Sequence, residues 1–383
     1  MLVLRGGDVV DATGIREADV AVEDGKIVAI GDVPDGDEEI DASGKFVAPG
    51  LIDAHVHVMM DGRPDVTDVV DENETMLAYR AVANLAAALN SGVTTVRDLG
   101  APTSLAIDAR DAVEDGVIDG PRVVACGENV VMTGGHGHWF GREADGPAEI
   151  TKAVREQLKR GADVIKCMAT GGVLTEGAIT GAPELDEDEL TALVEAASAK
   201  GVPTAAHAHG AAGIKNAVRA GISSIEHGTF MDREAAELMA ERGTYWVPTV
   251  KASHGILTEG VGAGIPKYAV EKGAEAAEAM DDAFEYAIDA GVKIAMGTDA
   301  GTPFNFHGDI PEELALMVEY GLTPEEALEA ATVNAADLLG RTDVGLVEEG
   351  YGADLVVLDA DPRDDVTIWQ SPTHVVSHGN IAR

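Results

Sequence analysis

From about residue 50 to residue 340 the chain alternates short apolar runs with amphipathic stretches of helical period, and this alternation limits the fold more than any other feature. Eight runs can be counted, at 47–58, 94–99, 122–131, 164–169, 203–209, 224–229, 246–250 and 293–299. Helical stretches lie between them, for example 76–90, 148–160, 187–200, 232–242 and 271–290. Such alternation implies a parallel sheet with crossover helices, and eight units in roughly 290 residues predict an α/β fold of the (β/α)8 TIM-barrel type. The two ends differ. Residues 2–4, 8–11, 18–22 and 26–30 near the start, and 353–358 and 374–379 near the finish, are short strand-like runs, with Glu23-Asp24-Gly25 a hairpin signal. A small β-sandwich built from both termini is therefore expected, with segments 1–50 and 344–383 flanking a barrel over 51–343.

Composition narrows the function classes. The 383 residues carry 68 acidic and 27 basic side chains, a formal charge of −41, spread over helical faces and turns. That charge argues against nucleic acid or an anionic membrane surface as a partner, and suits a surface that stays solvated in high salt. A halophilic setting is the expectation. Only Cys126 and Cys167 occur, which excludes a disulfide framework and points to a reducing compartment. The opening Met-Leu-Val-Leu-Arg-Gly-Gly lacks a signal-peptide pattern and no apolar run approaches a bilayer span, so a cytoplasmic protein is expected.

Metal-competent side chains end five of the eight runs. His55 and His57 close the first, and on an extended strand an i, i+2 pair projects to one face about 6 to 7 Å apart. Lys166 ends the fourth run, His207 the fifth, His227 the sixth and Asp299 the eighth. The C-terminal strand ends are where such barrels build active sites. A lone His there is ordinarily a half-buried polar residue, but six such groups at one barrel end are hard to assign to packing. Alternation puts Lys166 on the face of Val164 and Met168, and Asp299 on the face of Ala295 and Gly297.

A lysine inside an apolar strand loses basicity, and its neutral amine can take up carbon dioxide to form a carbamate that bridges two divalent ions. The bland alternative is a Lys paired with an acid. With the bridge, His55, His57 and Asp299 hold one ion, and His207 and His227 the other; nitrogen and oxygen donors suit zinc, with manganese, cobalt or iron open.

These residues carry a resemblance. The chain resembles the amidohydrolase superfamily, in its binuclear branch of Xaa-Pro dipeptidases, zinc-dependent Arg/Lys carboxypeptidases and imidazolonepropionase-related amidohydrolases. The matching segments are Val47 to His57, Thr94 to Asp98, Gly134 to Gly137, Ile165-Lys166, His207 to Gly210, Ile225 to Gly228, Gly297 to Thr302, Leu322 to Leu328 and Ala330 to Ala336. His207 and His209 share a face; the resemblance implies that His207 is the ligand and His209 a substrate contact. It also implies that His136 reaches the substrate, against the plainer option of a loop histidine. The loop after Lys166 offers backbone N–H groups of Gly171 and Gly172 to a substrate carboxylate.

The implied activity is hydrolysis of a C–N amide bond by a hydroxide held between two metals, with Asp299 passing the proton from water to the departing amine. A small-molecule substrate such as a dipeptide or N-acyl amino acid is expected, and a homo-oligomer is open. The alternatives are a cyclic-amide hydrolase such as an imidazolonepropionase, against which Lys166 argues, and a catalytically inactive barrel scaffold. Segment 251–265, with His254, resembles a mobile lid. For His307 a surface role is at least as good as any other, while His374, His378 and Cys167 are expected to be structural.

Overall fold

The apolar run 47–58 does not form one strand. In the computed structural model, which describes residues 1–383 apart from the side chain of Val70, it divides at Gly50 into Phe46–Pro49 and Leu51–Val56. The first half joins a six-stranded sheet made from both ends of the chain: it lies antiparallel to Leu355–Leu358 and parallel to Asp8–Asp11. A four-stranded sheet packs beside it through Leu4, Val9, Val20, Val22, Val47 and Leu355, all buried. The expected hairpin is present, with Glu23 opposite Lys26 and both Asp24 and Gly25 at positive φ, the twist that a two-residue turn requires.

The second half begins the parallel strands of a mixed α/β structure. Leu51–Val56 pairs with Val93–Asp98, which pairs with Arg122–Ala125. A second parallel series runs from Val130–Val131 through Ile165–Met168, Thr204–Gly210 and Ser224–Phe230 to Tyr245–Val247. The eighth expected strand, 293–299, is not continuous. It makes isolated parallel bridges, Trp246 to Ile294 and Val56 to Ala300. Its backbone bonds to both neighbours: Trp246 N donates to Lys293 O and Ala295 N to Trp246 O on one side, Ala54 N to Met296 O and Asp299 N to His55 O on the other.

Helices connect these strands and cover them. In Gly146–Arg160 the buried Ile150, Ala153, Val154 and Gln157 recur at helical spacing, and in Ala211–Ala220 Ile214, Ala217 and Val218 do the same. Each large aliphatic group buried this way contributes about 1.5–3 kcal/mol. Glu187–Ser198 starts with a capping box between Asp186 and Glu189. Ala211–Ala220 stops at Gly221, whose left-handed backbone (φ 95°) turns the chain into the strand that carries His227. Segment 251–265, which resembles a mobile lid in sequence, falls on the helix Val250–Glu259 and a short 3-10 turn at Val261–Ala263. No helix among the described residues is long and apolar enough to cross a membrane.

Candidate metal centre and active site

His55 and His57 stand at the C-terminal end of Leu51–Val56 and just beyond it, both buried, with ring centroids 5.5 Å apart. Their Nε2 atoms lie 3.4 and 3.3 Å from one oxygen of Asp299. A second group, His207, His209 and His227, converges on the same space: the His207 and His227 rings are 4.5 Å apart, and His55 and His227 5.2 Å. Within each trio the potential ligand atoms all lie within 4.8 Å of one another. Lys166, on Ile165–Met168, is buried and lines the same cavity, and it makes no ion pair among the described residues. Burial holds its ammonium below the ordinary lysine range, although Glu226 and Asp299 pull the other way.

The imidazoles are oriented from behind. His55 Nδ1 donates to Glu226 at 2.9 Å and His57 Nδ1 to the carbonyl of Gly100 at 2.8 Å. His227 Nδ1 is hydrogen-bonded to the Thr249 hydroxyl and His209 Nδ1 to the Thr229 hydroxyl. Each of these rings keeps its Nε2 lone pair for the cavity, the arrangement that metal-binding histidines use. Burial pushes the His55 imidazolium down to about 4, and takes those of His207 and His227 well below the usual range, so all three are neutral at pH 7, the form a metal ligand requires. Asp299 ionises in spite of burial because His55 and His57 face it.

The donor set fits divalent cations. His207 Nε2 and Asp299 Oδ1 are buried without hydrogen-bond partners, a cost that proteins avoid unless something else meets those atoms. His227 and Asp299 both have positive φ, 69° and 60°. For residues other than glycine this is strained backbone of the kind concentrated at functional sites. It also means that strand alternation does not place Asp299; the left-handed backbone does.

Beneath the ligands lies a charged network that the sequence did not single out. Glu226 is fully buried, bonded to Arg97 Nη2 at 3.0 Å, to Ser224 and to His55, and Arg97 also donates to Ala54 O. Burial opposes its ionisation, but Arg97 and His55 hold the carboxyl at about 2. Opposite charges set inside two apolar runs, Thr95-Val96-Arg97 and Ser224-Ile225-Glu226, are the available signal for this pair. Asp53 accepts from the backbone of His55 and Thr298, which ties the first histidine strand to the segment bearing Asp299.

The cavity is lined by all six of these histidines, if His136 is counted, together with Lys166 and Asp299. His136 is buried, its ring 4.3 Å from that of His207; its Nδ1 meets the Thr175 hydroxyl and its backbone N–H donates to Glu184. Gly171 and Gly172 do not offer the expected carboxylate site. The Gly171 N–H already donates to Ala182 O, and neither glycine lines the cavity. Gly172 instead packs its bare Cα against the His136 ring, where a Cβ would collide. His254 is exposed and outside the cavity. His307, for which a surface role was at least as good as any other, is buried with both ring nitrogens unpartnered. Cys167 is buried in the core.

Comparison with known proteins identifies the family. The model of the amidohydrolase family matches residues 46–382. Ochratoxinase from Aspergillus niger is 34% identical over 366 residues, covering 87% of this chain and 75% of its own length. Imidazolonepropionase from Streptomyces coelicolor is 26% identical over 375 residues, 90% of this chain and 86% of the relative. A crystal structure of a Xaa-Pro dipeptidase with methionine bound in its active site superposes with a TM-score of 0.93 at 34% identity, covering 99% of both chains.

Proposed function

The chain belongs to the amidohydrolase family and is a hydrolase of amide bonds, and from its site we propose a metal-dependent enzyme that cleaves the C–N bond of a dipeptide or N-acyl amino acid. The observation that carries this reading is the convergence of two donor trios, with orphaned buried atoms at His207 and Asp299, on one cavity. His55, His57 and Asp299 would hold one ion and His207 and His227 a second, and Lys166, as its carbamate, would serve as a further ligand. Zinc is the ion of choice. The unpaired, poorly basic amine of Lys166 supports the carbamate: its nitrogen adds to the carbon of carbon dioxide and its proton leaves to solvent. The architecture proposed is a closed (β/α)8 barrel over 51–343, with 1–50 and 344–383 forming one β-sandwich. The two-sided bonding of segment 293–300 supports closure.

When bound, two divalent ions acidify water and polarise a carbonyl. The side chains do the rest. Asp299 takes the proton from the attacking water and gives it to the departing nitrogen as the C–N bond breaks. His136, neutral because burial lowers its pKa to about 3, orients the scissile carbonyl, and His209 contacts the substrate. Two buried, unpaired thiols, Cys126 and Cys167, suit a reducing cytoplasm.

Metal analysis joined to a screen of dipeptides and N-acyl amino acids in high salt tests the proposal. About two equivalents per chain with amide cleavage are expected. One equivalent with cyclic-amide turnover would indicate an enzyme of the imidazolonepropionase type, and no metal with no turnover a scaffold.

A further inference from the structure

Thr249 does not cap the helix that it starts. It directly precedes Val250–Glu259, where a threonine hydroxyl ordinarily accepts one of the free N–H groups of the first turn. Here that hydroxyl makes no such bond and meets His227 Nδ1 at 2.7 Å instead. Thr249 is also buried and stands in left-handed backbone, with φ 52° and ψ 46°. A β-branched residue keeps such backbone only where its surroundings hold it there.

The hold comes from another helix. Glu313, in the first turn of Glu312–Glu319, is fully buried. One of its oxygens accepts the N–H of Val250 at 2.8 Å and the other that of Lys251 at 2.7 Å, the two residues that follow Thr249. Burial pushes the carboxyl up to about 8, against the pull of these N–H groups, and the positive end of the helix favours its charged form. Glu313 makes no ion pair among the described residues, since the Lys251 ammonium goes to Glu312. A buried carboxyl group is a demanding way to cap a helix. It is used where the ordinary cap is already engaged with a histidine of the site.

We infer that Glu313 is a positioning residue for His227: by clasping the first two N–H groups of Val250–Glu259 it fixes Thr249 in its left-handed turn and leaves the Thr249 hydroxyl to hold Nδ1, so that Nε2 faces the cavity. On the metal-centre reading above, its effect reaches the ion given to His207 and His227 and spares the ion given to His55, His57 and Asp299.

Glu313→Gln, Thr249→Val and the two combined test this, with cobalt(II) as the only metal. In Glu313→Gln one N–H group faces an amide NH2 group instead of an oxygen, and Thr249→Val removes the hydroxyl while keeping the branched shape. Absorption titrations of chelator-treated protein should show one of two cobalt ions weakened by about tenfold to a hundredfold in each single variant, with the other ion held as in the wild type. The double variant should bind no more weakly than the weaker single one, because both changes act through one hydroxyl. Given a wild type that binds two ions, unchanged binding in Glu313→Gln, equal weakening of both ions, or losses that multiply in the double variant overturn the inference. A second readout needs no metal. In nitrogen NMR of histidine-labelled, metal-free protein, the Nδ1-protonated form of His227 should dominate in the wild type and mix with the Nε2-protonated form in Glu313→Gln; the same single form in both overturns the inference. Such mixing in a protein whose wild type takes up no cobalt would sink the metal centre and leave the positioning role standing. If Glu313→Gln does not fold, Glu313→Asp, whose shorter arm draws both oxygens back from the helix, carries the same comparisons.

Discussion

Glu226 Oε2 accepts the Nδ1 proton of His55 at 2.9 Å, while its other oxygen receives Arg97. One buried carboxylate thus fixes which nitrogen of His55 faces the cavity and neutralises the guanidinium beneath it.

Glu226→Gln should therefore harm stability and metal binding together. Breaking a buried pair by removing one partner costs about 3–5 kcal/mol, because Arg97 is left charged and uncompensated. Loss of the His55 anchor should weaken metal binding by about tenfold to a hundredfold. Denaturant melts and competition titration with a chelator check the two effects separately.

The same carboxylate gives the metal-free protein an acid-sensitive term. Its pKa falls from the ordinary 4.5 to about 2 on folding, so it stabilises the native state fully above 4.5. That contribution, about 3 kcal/mol, is lost as pH drops through 2. Urea midpoints of chelator-treated protein should decline across this window, and the decline should be shallower in Glu226→Gln.

Asp299→Asn is expected to keep the fold and bound metal while losing about two to four orders of magnitude in kcat, the usual worth of a positioned acid–base group. Unchanged turnover in a metal-replete sample would remove Asp299 from its assigned role.

Lys166→Met should move two quantities in opposite directions. A buried amine without an ion-pair partner is replaced by an apolar chain of similar length, so the metal-free protein should gain about 1–3 kcal/mol. Metal content should fall below that of the wild type. Calorimetry of chelated protein and elemental analysis of loaded protein read these effects.

With a net charge of −41, self-repulsion is strong where screening is weak. The Debye length shrinks from about 30 Å at 0.01 M salt to about 3 Å at 1 M, and Tm should climb with potassium chloride over that range. A flat profile would show that the acidic surface is not an adaptation to salt.

The His-x-His pair was legible because His55 is on regular strand and His57 follows directly at its end; Lys166 was legible because it lies within Ile165–Met168, where period two holds. His227 and Asp299 could be found by position at run ends, but not aimed, since their left-handed backbone breaks the alternation. The Glu226–Arg97 pair escaped because each charge looks anomalous alone and acquires a purpose only when strands far apart in sequence meet. Gly171 misled for a related reason: a glycine-rich loop advertises free N–H groups, and only the folded chain shows that Ala182 has already claimed one. For His307 the choice stayed open because nothing local to it predicts burial.

Gly50 leaves no slack between the sheet of the two termini and the strand bearing His55 and His57. The antiparallel neighbour of Phe46–Pro49 is Leu355–Leu358, a segment made after all the residues of the candidate site. This sheet is thus completed only after Leu355–Leu358 has been made, so ions captured earlier would meet a first histidine strand still lacking its anchor. Stable loading of a metal at His55 and His57 would then follow the pairing of Phe46–Pro49 with Leu355–Leu358.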